Sequence, residues 1–321
     1  MPPESAIEIA SVSHSYGDRR ALDKVSMQVP SGRICGLLGP NGGGKTTLFK
    51  ILTTLIAPTS GTAYVGGCHI VERQREVRRK IGVVFQTSSL DRHLTATENL
   101  IHQGHLYGLR GKELQRRAAL LLELFGLGDR SHDRVAIFSG GMQRRLELAK
   151  ALLHQPEILI LDEPSTGLDP AARRTLMDHL HELREESGIT TLITTHLMEE
   201  ADRCDLVAIL DNGRLVGMDS PTALKRTIGG EVLTISTANP IKLVEQIKDR
   251  FEITASIVDG QVRIEREQGH AMVGDIMDAF GEKIESITVG KPTLEDVFFS
   301  LTGHQLGEKS TVRLVQAETI R

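Results

Sequence analysis

The chain has no tryptophan, and three tyrosines and eight phenylalanines make up only 3% of its 321 residues. Its core must therefore be built from leucine, isoleucine, valine and alanine. Cysteine is scarce too. Cys35, Cys68 and Cys204 lie far apart and are odd in number, so no pair has the spacing of a zinc site or a redox motif. A reducing compartment is the simplest setting for them. There is no basic excess: a net charge of −4 and a pI near 6.3 argue against bulk nucleic-acid binding. No apolar run approaches the roughly 18–20 residues that span a bilayer. The run Ile158 to Leu161 is short and ends in acid. The opening Met1-Pro2-Pro3-Glu4 lacks the basic and apolar regions of a signal peptide. If the protein serves a membrane, another chain is expected to cross it.

What is present reads as a globular α/β protein. Hydrophobic residues are 40% and charged residues 25% of the chain, the profile of a soluble domain, and the length suits two domains. The first is expected over residues 1–228. Strand-like runs fall at Ile7–Val12, Val25–Val29, Arg33–Leu38, Ile81–Phe85, Ile158–Leu161, Thr190–Thr194 and Leu206–Leu210. Between about 87 and 155 the pattern is mostly helical, with Leu120, Leu121, Leu124 and Leu127 on one side, as a helical insert in the α/β body. Gly229-Gly230 marks a break. The segment after it, residues 229–303, reads as strand (Glu231–Thr237), helix (Pro240–Phe251), strand (Ile253–Val258), strand (Gln261–Arg266), helix (His270–Phe280), strand (Lys283–Val289) and a closing helix from Thr293 to about Leu301. Asp259-Gly260 is a strong hairpin signal, because both central residues of that turn need positive φ. The order βαββαβ predicts a small α+β ferredoxin-like domain. Residues 304–321 are polar and weakly patterned, and a mobile tail is expected there.

The chemistry begins at Gly39-Pro40-Asn41-Gly42-Gly43-Gly44-Lys45-Thr46-Thr47. This is G-x-x-x-x-G-K-T between a predicted strand and a predicted helix, the phosphate-binding loop. Its glycines let backbone N–H groups turn inward around phosphate oxygens where a Cβ would intrude. The helix that starts near Lys45 points its positive end at the same anion. Lys45 is expected to reach the β and γ phosphates, and the Thr46 hydroxyl to bind Mg²⁺. A flexible glycine loop before a helix is the bland alternative, and the full motif in this context outweighs it. A second element is Ile158-Leu159-Ile160-Leu161-Asp162-Glu163. A buried apolar strand that ends in two acids needs a cation or hydrogen-bond partners for them. Asp162 is expected to hold Mg²⁺ and Glu163 to polarise the attacking water. A strand ending at a solvated turn is the alternative, and the neighbouring phosphate loop disfavours it.

Phe138-Ser139-Gly140-Gly141-Met142-Gln143-Arg144-Arg145 resembles the signature motif of ABC ATPases, and it lies shortly before the acidic strand. Asp162-Glu163-Pro164-Ser165-Thr166-Gly167-Leu168-Asp169 is similar to that family's second acidic motif running into its D-loop. Val84-Phe85-Gln86 resembles the Q-loop, Thr194-Thr195-His196 the switch histidine, and Tyr16 the aromatic that stacks on adenine. The landmarks occur in order over roughly residues 7–220. The resemblance implies a P-loop NTPase of ABC type that hydrolyses ATP with Mg²⁺. Two such domains would pair head to tail around two ATP molecules, with Ser139, Gly140 and Gly141 serving the partner's nucleotide. Gln86 would sense Mg²⁺ and the γ-phosphate, and His196 would hold the γ-phosphate and orient the water. Two departures stand out. Met142 occupies a position where glutamine is common, and Gly43 one where a small non-glycine residue is frequent, which adds backbone freedom. A working site is still implied.

Other features carry less. The pairs His102/His105 and His179/His181 lack an evident third metal ligand. The run Arg73, Arg75, Arg78, Arg79, Lys80 reads as a solvated face before a strand, with lipid or nucleic-acid contact as the alternative. Cys35 reads as a small buried side chain. A single uninterrupted ATPase domain without sustained heptads favours a transporter subunit over translation-factor or chromosome-type members. Leu94–Leu100 with Leu106–Leu109 resembles the helical region of bacterial drug- and polysaccharide-type exporter subunits, and Pro292–Phe298 with Leu301-Thr302-Gly303 resembles the ending of the daunorubicin-resistance-like branch of multidrug exporters. That implies a second ATPase subunit, expected to be another copy of this chain, and a separate multi-span permease, coupled near Gln86 and the helical insert. The protein would then sit peripherally at the cytoplasmic face of the cell membrane. The accessory domain would support the dimer or bind a regulator. The competing class is a soluble regulatory or nucleic-acid-associated ABC ATPase. The acidic accessory segment, with Glu231, Glu245, Asp249, Glu252 and Asp259 among its charges, weighs against it, and no nucleic-acid partner is expected.

Overall fold

The computed structural model describes residues 5–304, and the stretch expected as a mobile tail lies, from residue 305 on, outside the described residues. The chain opens with β1 (Ser5–Tyr16), β2 (Arg19–Pro30) and β3 (Ile34–Leu38), followed by α1 (Lys45–Leu52). Next come β4 (Ser60–Val65), β5 (Cys68–His69), α2 (Gln74–Lys80) and β6 (Ile81–Val84). Helices α3 (Ala96–Leu106), α4 (Gly111–Leu124) and α5 (Gly140–Leu152) intervene before β7 (Ile158–Asp162). The first part closes with α6 (Pro170–Ser187), β8 (Thr190–Thr195), α7 (Met198–Ala201), β9 (Leu206–Asp211) and β10 (Arg214–Asp219).

These strands form two sheets. An antiparallel sheet has the order β2-β1-β4-β5, and a six-stranded sheet has the order β10-β9-β3-β8-β7-β6. Within the latter, β9, β3, β8, β7 and β6 run parallel. Parallel strands are covered on both faces, which is why β3 and β7 are buried at every position and read as unbroken apolar runs. Helix α1 joins the two sheets. Its Leu48, Phe49, Ile51 and Leu52 share one core with Ile7, Val12, Val25 and Val29 of the antiparallel sheet and with Leu37, Ile160, Leu192 and Leu210 of the parallel one. Large aliphatic side chains dominate that core, as the shortage of aromatics requires.

The chain divides into two compact units, one ending at Met218 and the other beginning at Asp219. The second unit contains α8 (Pro221–Arg226), β11 (Glu231–Thr237), α9 (Pro240–Phe251), β12 (Ser256–Val258), β13 (Gln261–Arg266), α10 (Met272–Phe280), β14 (Ile284–Gly290) and α11 (Leu294–Thr302). Helix α8 packs against α11, so it groups with the second unit and the division falls ahead of Gly229-Gly230. The sheet order β12-β13-β11-β14 is fully antiparallel, the arrangement of a ferredoxin-like βαββαβ unit. The expected hairpin is present: Asp259 (φ 51°) and Gly260 (φ 73°) connect Val258 to its partner Gln261.

Reading apolar runs alone misses β4, β5, β10 and α6. The three strands are short or half-exposed. Helix α6 carries its signals at its ends instead: Asp169 caps it, Pro170 begins it, and Gly188 (φ 66°) stops it. The strand expected from Ile253 begins only at Ser256, because Glu252 closes α9 in the left-handed region and Ile253 and Ala255 pack into the core without a strand partner. The basic run is helix α2, with Val77 buried, Arg78 donating to Thr54 Oγ1 at 2.8 Å and Lys80 paired with Glu157 at 3.0 Å.

Ile235 lies fully buried in β11 at the centre of the second unit's core. Ile235→Ala is expected to lower stability by about 2–5 kcal/mol through lost burial and a residual cavity, read as a lower urea midpoint for the unit's unfolding.

Candidate functional site

The site lies where the parallel strands end. Strand β3 delivers the chain into Gly39–Gly44, and α1 starts immediately after at Lys45. The glycines are demanded by space and by φ. A Cβ on Gly39 would meet the Leu210 carbonyl oxygen at 2.2 Å, and Gly44, which caps α1 at φ 108°, would drive one into Ala21 O and Leu22 at 2.8 Å. Gly43 does not behave as the loose position that its sequence context predicts. Its N–H donates to Pro40 O at 3.1 Å, its carbonyl accepts from Gly213 N at 3.0 Å, and a Cβ there would stand 3.1–3.2 Å from Pro40 and Leu210. Asn41, Gly42 and Thr46 are exposed, Pro40 is half-buried, and Thr47 is buried.

Lys45 is almost fully buried. Its Nζ donates to Gly39 O at 2.7 Å and Pro40 O at 3.1 Å and faces Glu163 Oε1 at 3.4 Å. Burial pulls its pKa below the usual lysine range, and the Glu163 carboxylate opposes that shift. Asp162 ends β7 and Glu163 follows it, at 4% and 8% exposure. Burial raises the Asp162 pKa, against a hydrogen bond from Thr194 Oγ1 to Oδ1 at 2.6 Å. Glu163 adopts φ 44°, a left-handed conformation uncommon for a non-glycine residue. The next strand holds it there: Glu163 N donates to Thr194 O at 3.1 Å and to Thr194 Oγ1 at 2.9 Å.

Three further groups converge on the Glu163 carboxylate. Gln86 Nε2 donates to Oε2 at 3.3 Å, Thr166 Oγ1 donates to it at 3.4 Å, and His196 Nδ1 stands 3.4 Å from it without hydrogen-bond geometry. Gln86, Lys45, Asp162, Glu163 and His196 come from four separate stretches of the chain. Thr195 Oγ1 ties the histidine's loop down, accepting from Leu197 N at 2.9 Å and donating to buried Glu200 at 2.6 Å.

The other expected residues stand apart. Tyr16 ends β1, is 47% exposed, and packs edge-on against His14. Ser139 caps α5, accepting from Met142 N at 3.3 Å, and Gly140 opens onto free space. Ser139, Gly140 and Gly141 make no hydrogen bond to the glycine loop of their own chain among the described residues. Asp169 accepts from Ala172 N at the start of α6. Motif reading included Thr194 and Arg144 without assigning them a role, and it missed the supporting residues Glu200, Glu147 and Lys150. A charged side chain between the leucines of α5 was the available signal for Glu147.

A glycine loop feeding a helix, an acid-tipped strand beside it, and a glutamine and a histidine facing the same carboxylate define a P-loop ATPase of ABC type. The family described as ABC transporter matches residues 22–166. The chain is 37% identical over 313 residues to the daunorubicin resistance ATP-binding protein DrrA2 of Streptomyces coeruleorubidus, across 94% of this chain and 96% of that one. It is 40% identical over 312 residues to the Nod factor export ATP-binding protein I of Sinorhizobium fredii, across 94% and 87%. Among solved structures it matches cbiO1 from Clostridium perfringens, part of the ABC transporter complex cbiONQ, with a TM-score of 0.65 and 25% identity over 78% of this chain and 96% of that one. A dimeric ATP-binding cassette in a post-hydrolysis state with ADP and Pi matches at a TM-score of 0.61 and 29% identity over 67% and 98%. The chain belongs to the ABC transporter family, as one of its ATP-binding and ATP-hydrolysing subunits.

Thr194→Val removes the hydroxyl that satisfies buried Asp162 while keeping the shape of the side chain. Leaving that acceptor unpaired is expected to cost about 1–3 kcal/mol, visible as a lower Tm.

Proposed function

We propose that this chain is the motor of an exporter, pairing with a second copy around two ATP molecules and driving a separate multi-span permease from the cytoplasmic face of the membrane. The observation that carries the catalytic part is the convergence of Lys45, Gln86 and His196 on Glu163. The exporter part rests on its likeness, along almost the whole chain, to relatives named for drug resistance and Nod factor export.

In this reading Gly39, Pro40, Asn41, Gly42, Gly43 and Gly44 wrap the phosphates with backbone N–H groups, and Thr46 and Thr47 follow at the helix start. Lys45 leaves Glu163 for the β and γ phosphates, a move favoured because it keeps the buried ammonium paired with a negative charge. Tyr16, exposed at the strand end, offers its ring to adenine. Mg²⁺, when bound with the nucleotide, supplies positive charge against that developing on the phosphoryl group. Thr46, Asp162 and Gln86 would hold it: oxygen donors suit a hard cation, and buried Asp162 is a carboxylate that needs one. Glu163 accepts the proton of the attacking water, and His196 orients the water and the γ-phosphate. Ser139, Gly140 and Gly141, which make no hydrogen bond to their own loop among the described residues, serve the nucleotide of the second copy. The unit that ends at Met218 forms the ATPase domain with its helical insert, and the unit that begins at Asp219 an accessory domain that supports the dimer.

Glu163→Gln keeps the size of the side chain and removes the base. ATP binding is expected to persist while turnover falls about 10²–10⁴-fold, measured by nucleotide titration alongside phosphate release. Turnover within a few-fold of the parent would refute the role of Glu163. Lys45→Ala is expected to weaken ATP binding itself, read in the same titration. The exporter reading is tested by gentle extraction of the tagged chain from membranes: a stoichiometric multi-span protein in the eluate is the expected result, and recovery with nucleic acid alone contradicts it.

A further inference from the structure

We propose that Arg144, Glu147 and Lys150 are positioning residues that lock the loop bearing Gln86 onto α5. A single helix thereby joins the residues offered to one nucleotide, at its start, to the glutamine that serves the other. The second half of this proposal rests on the reading of Ser139 given above.

The far end of the loop after β6 is tied down at Asp91, whose N–H donates to Asn99 Oδ1 at 2.9 Å and whose carbonyl accepts from Asn99 Nδ2 at 3.0 Å, but the stretch around Gln86 is not held from there. Residues 86–89 are exposed, and no regular element forms between Val84 and Ala96. The anchors of residues 85–89 come from α5. Arg144 Nη1 donates to Phe85 O at 2.9 Å and Nη2 to Gln86 O at 3.4 Å. Glu147 Oε1 accepts from Ser89 N at 2.8 Å. Lys150 Nζ donates to Ser89 O at 2.7 Å and Ser89 Oγ at 3.1 Å. The loop is thus fixed on both sides of Gln86, whose side chain then reaches Glu163.

The residue types are specific to this task. Arg144 and Glu147 are both buried and pair at 2.6 Å. A guanidinium presents several N–H groups in a rigid fork, so it can meet a carboxylate and two carbonyls together. Glu147 has one oxygen for Arg144 and one for the Ser89 amide. The three side chains recur at i and i+3 along α5 and therefore share one face of the helix. Ser139 caps that same helix about 16 Å from Lys150 at the helical rise. A packed helix of this length moves as a rigid body, so displacement at Ser139 carries the Gln86 loop with it.

Glu147→Gln leaves Arg144 buried without its counter-charge and endangers the fold. Half-exposed Lys150 is the deciding position. In the full chain, Lys150→Met is expected to lower kcat about three- to tenfold with KM for ATP nearly unchanged. Amide exchange across residues 86–90 should accelerate while that of α1 stays at the parental rate. Lys150→Arg, which keeps the donors, should restore both. An unchanged kcat, or a loss of kcat without faster exchange in the loop, overturns the clamp. Combining Lys150→Met with Ser139→Ala tests the coupling: the joint loss should be smaller than the product of the separate losses, and a simple product overturns it. If Ser139→Ala alone leaves turnover unchanged, the signature reading and the coupling built on it are refuted, while the Lys150 pair still decides the clamp.

Discussion

A buried carboxylate cannot remain unpartnered, and in this protein Glu163 imposes that constraint on everything around it. It directly follows an apolar strand, at 8% exposure and in a backbone conformation few residues adopt. The surrounding polar structure meets the constraint. Lys45, Gln86, Thr166 and His196 face the carboxylate, and Thr194 fixes its backbone. Because these groups derive from different strand ends, the parallel sheet must form before the site exists. The chemistry therefore depends on tertiary structure, although its principal residues sit in short local motifs.

Helix α1 supplies the second constraint. It is buried between two sheets, and its start is the glycine loop, so the packing that stabilises the fold also fixes the aim of the helix N-terminus. The Leu210 carbonyl presses against Gly39 and Gly43, leaving no space for side chains along that flank of the loop. Gly43, which sequence context marks as a source of freedom, is held at both its N–H and its carbonyl. A glycine here allows close backbone approach more than it allows motion.

Helix α5 performs two tasks, one at its start and one along its body. Ser139 and Gly140 at its start are exposed, while Arg144 and Glu147 are among the most buried charges of the described residues. Burying an ion pair contributes little net stability. Its worth here lies in geometry: it satisfies the backbone on either side of Gln86, in a stretch outside any regular element. A hydrophobic pair of the same volume would pack as well and leave the loop free.

Much of this was legible in the sequence, for a physical reason. Residues contiguous in the chain remain contiguous in space, so the glycine loop, the Asp162-Glu163 strand end and the Asp259-Gly260 hairpin announce themselves from spacing and φ requirements alone. The same holds for the βαββαβ order of the second unit. What sequence could not show is contact across long separations. Thr194 beneath Asp162, Glu200 beneath Thr195, and Lys150 upon Ser89 look like ordinary polar residues until the chain folds. The strands β4, β5 and β10 are defined by their partners more than by their own patterns, and α8 grouped with the second unit through packing on α11. The sequence determined which groups could perform the chemistry, because side-chain type and local turn geometry are properties of the chain. Only the tertiary structure decided which of them meet, because burial, pairing and the neutralisation of Glu163 are properties of surroundings assembled from distant segments.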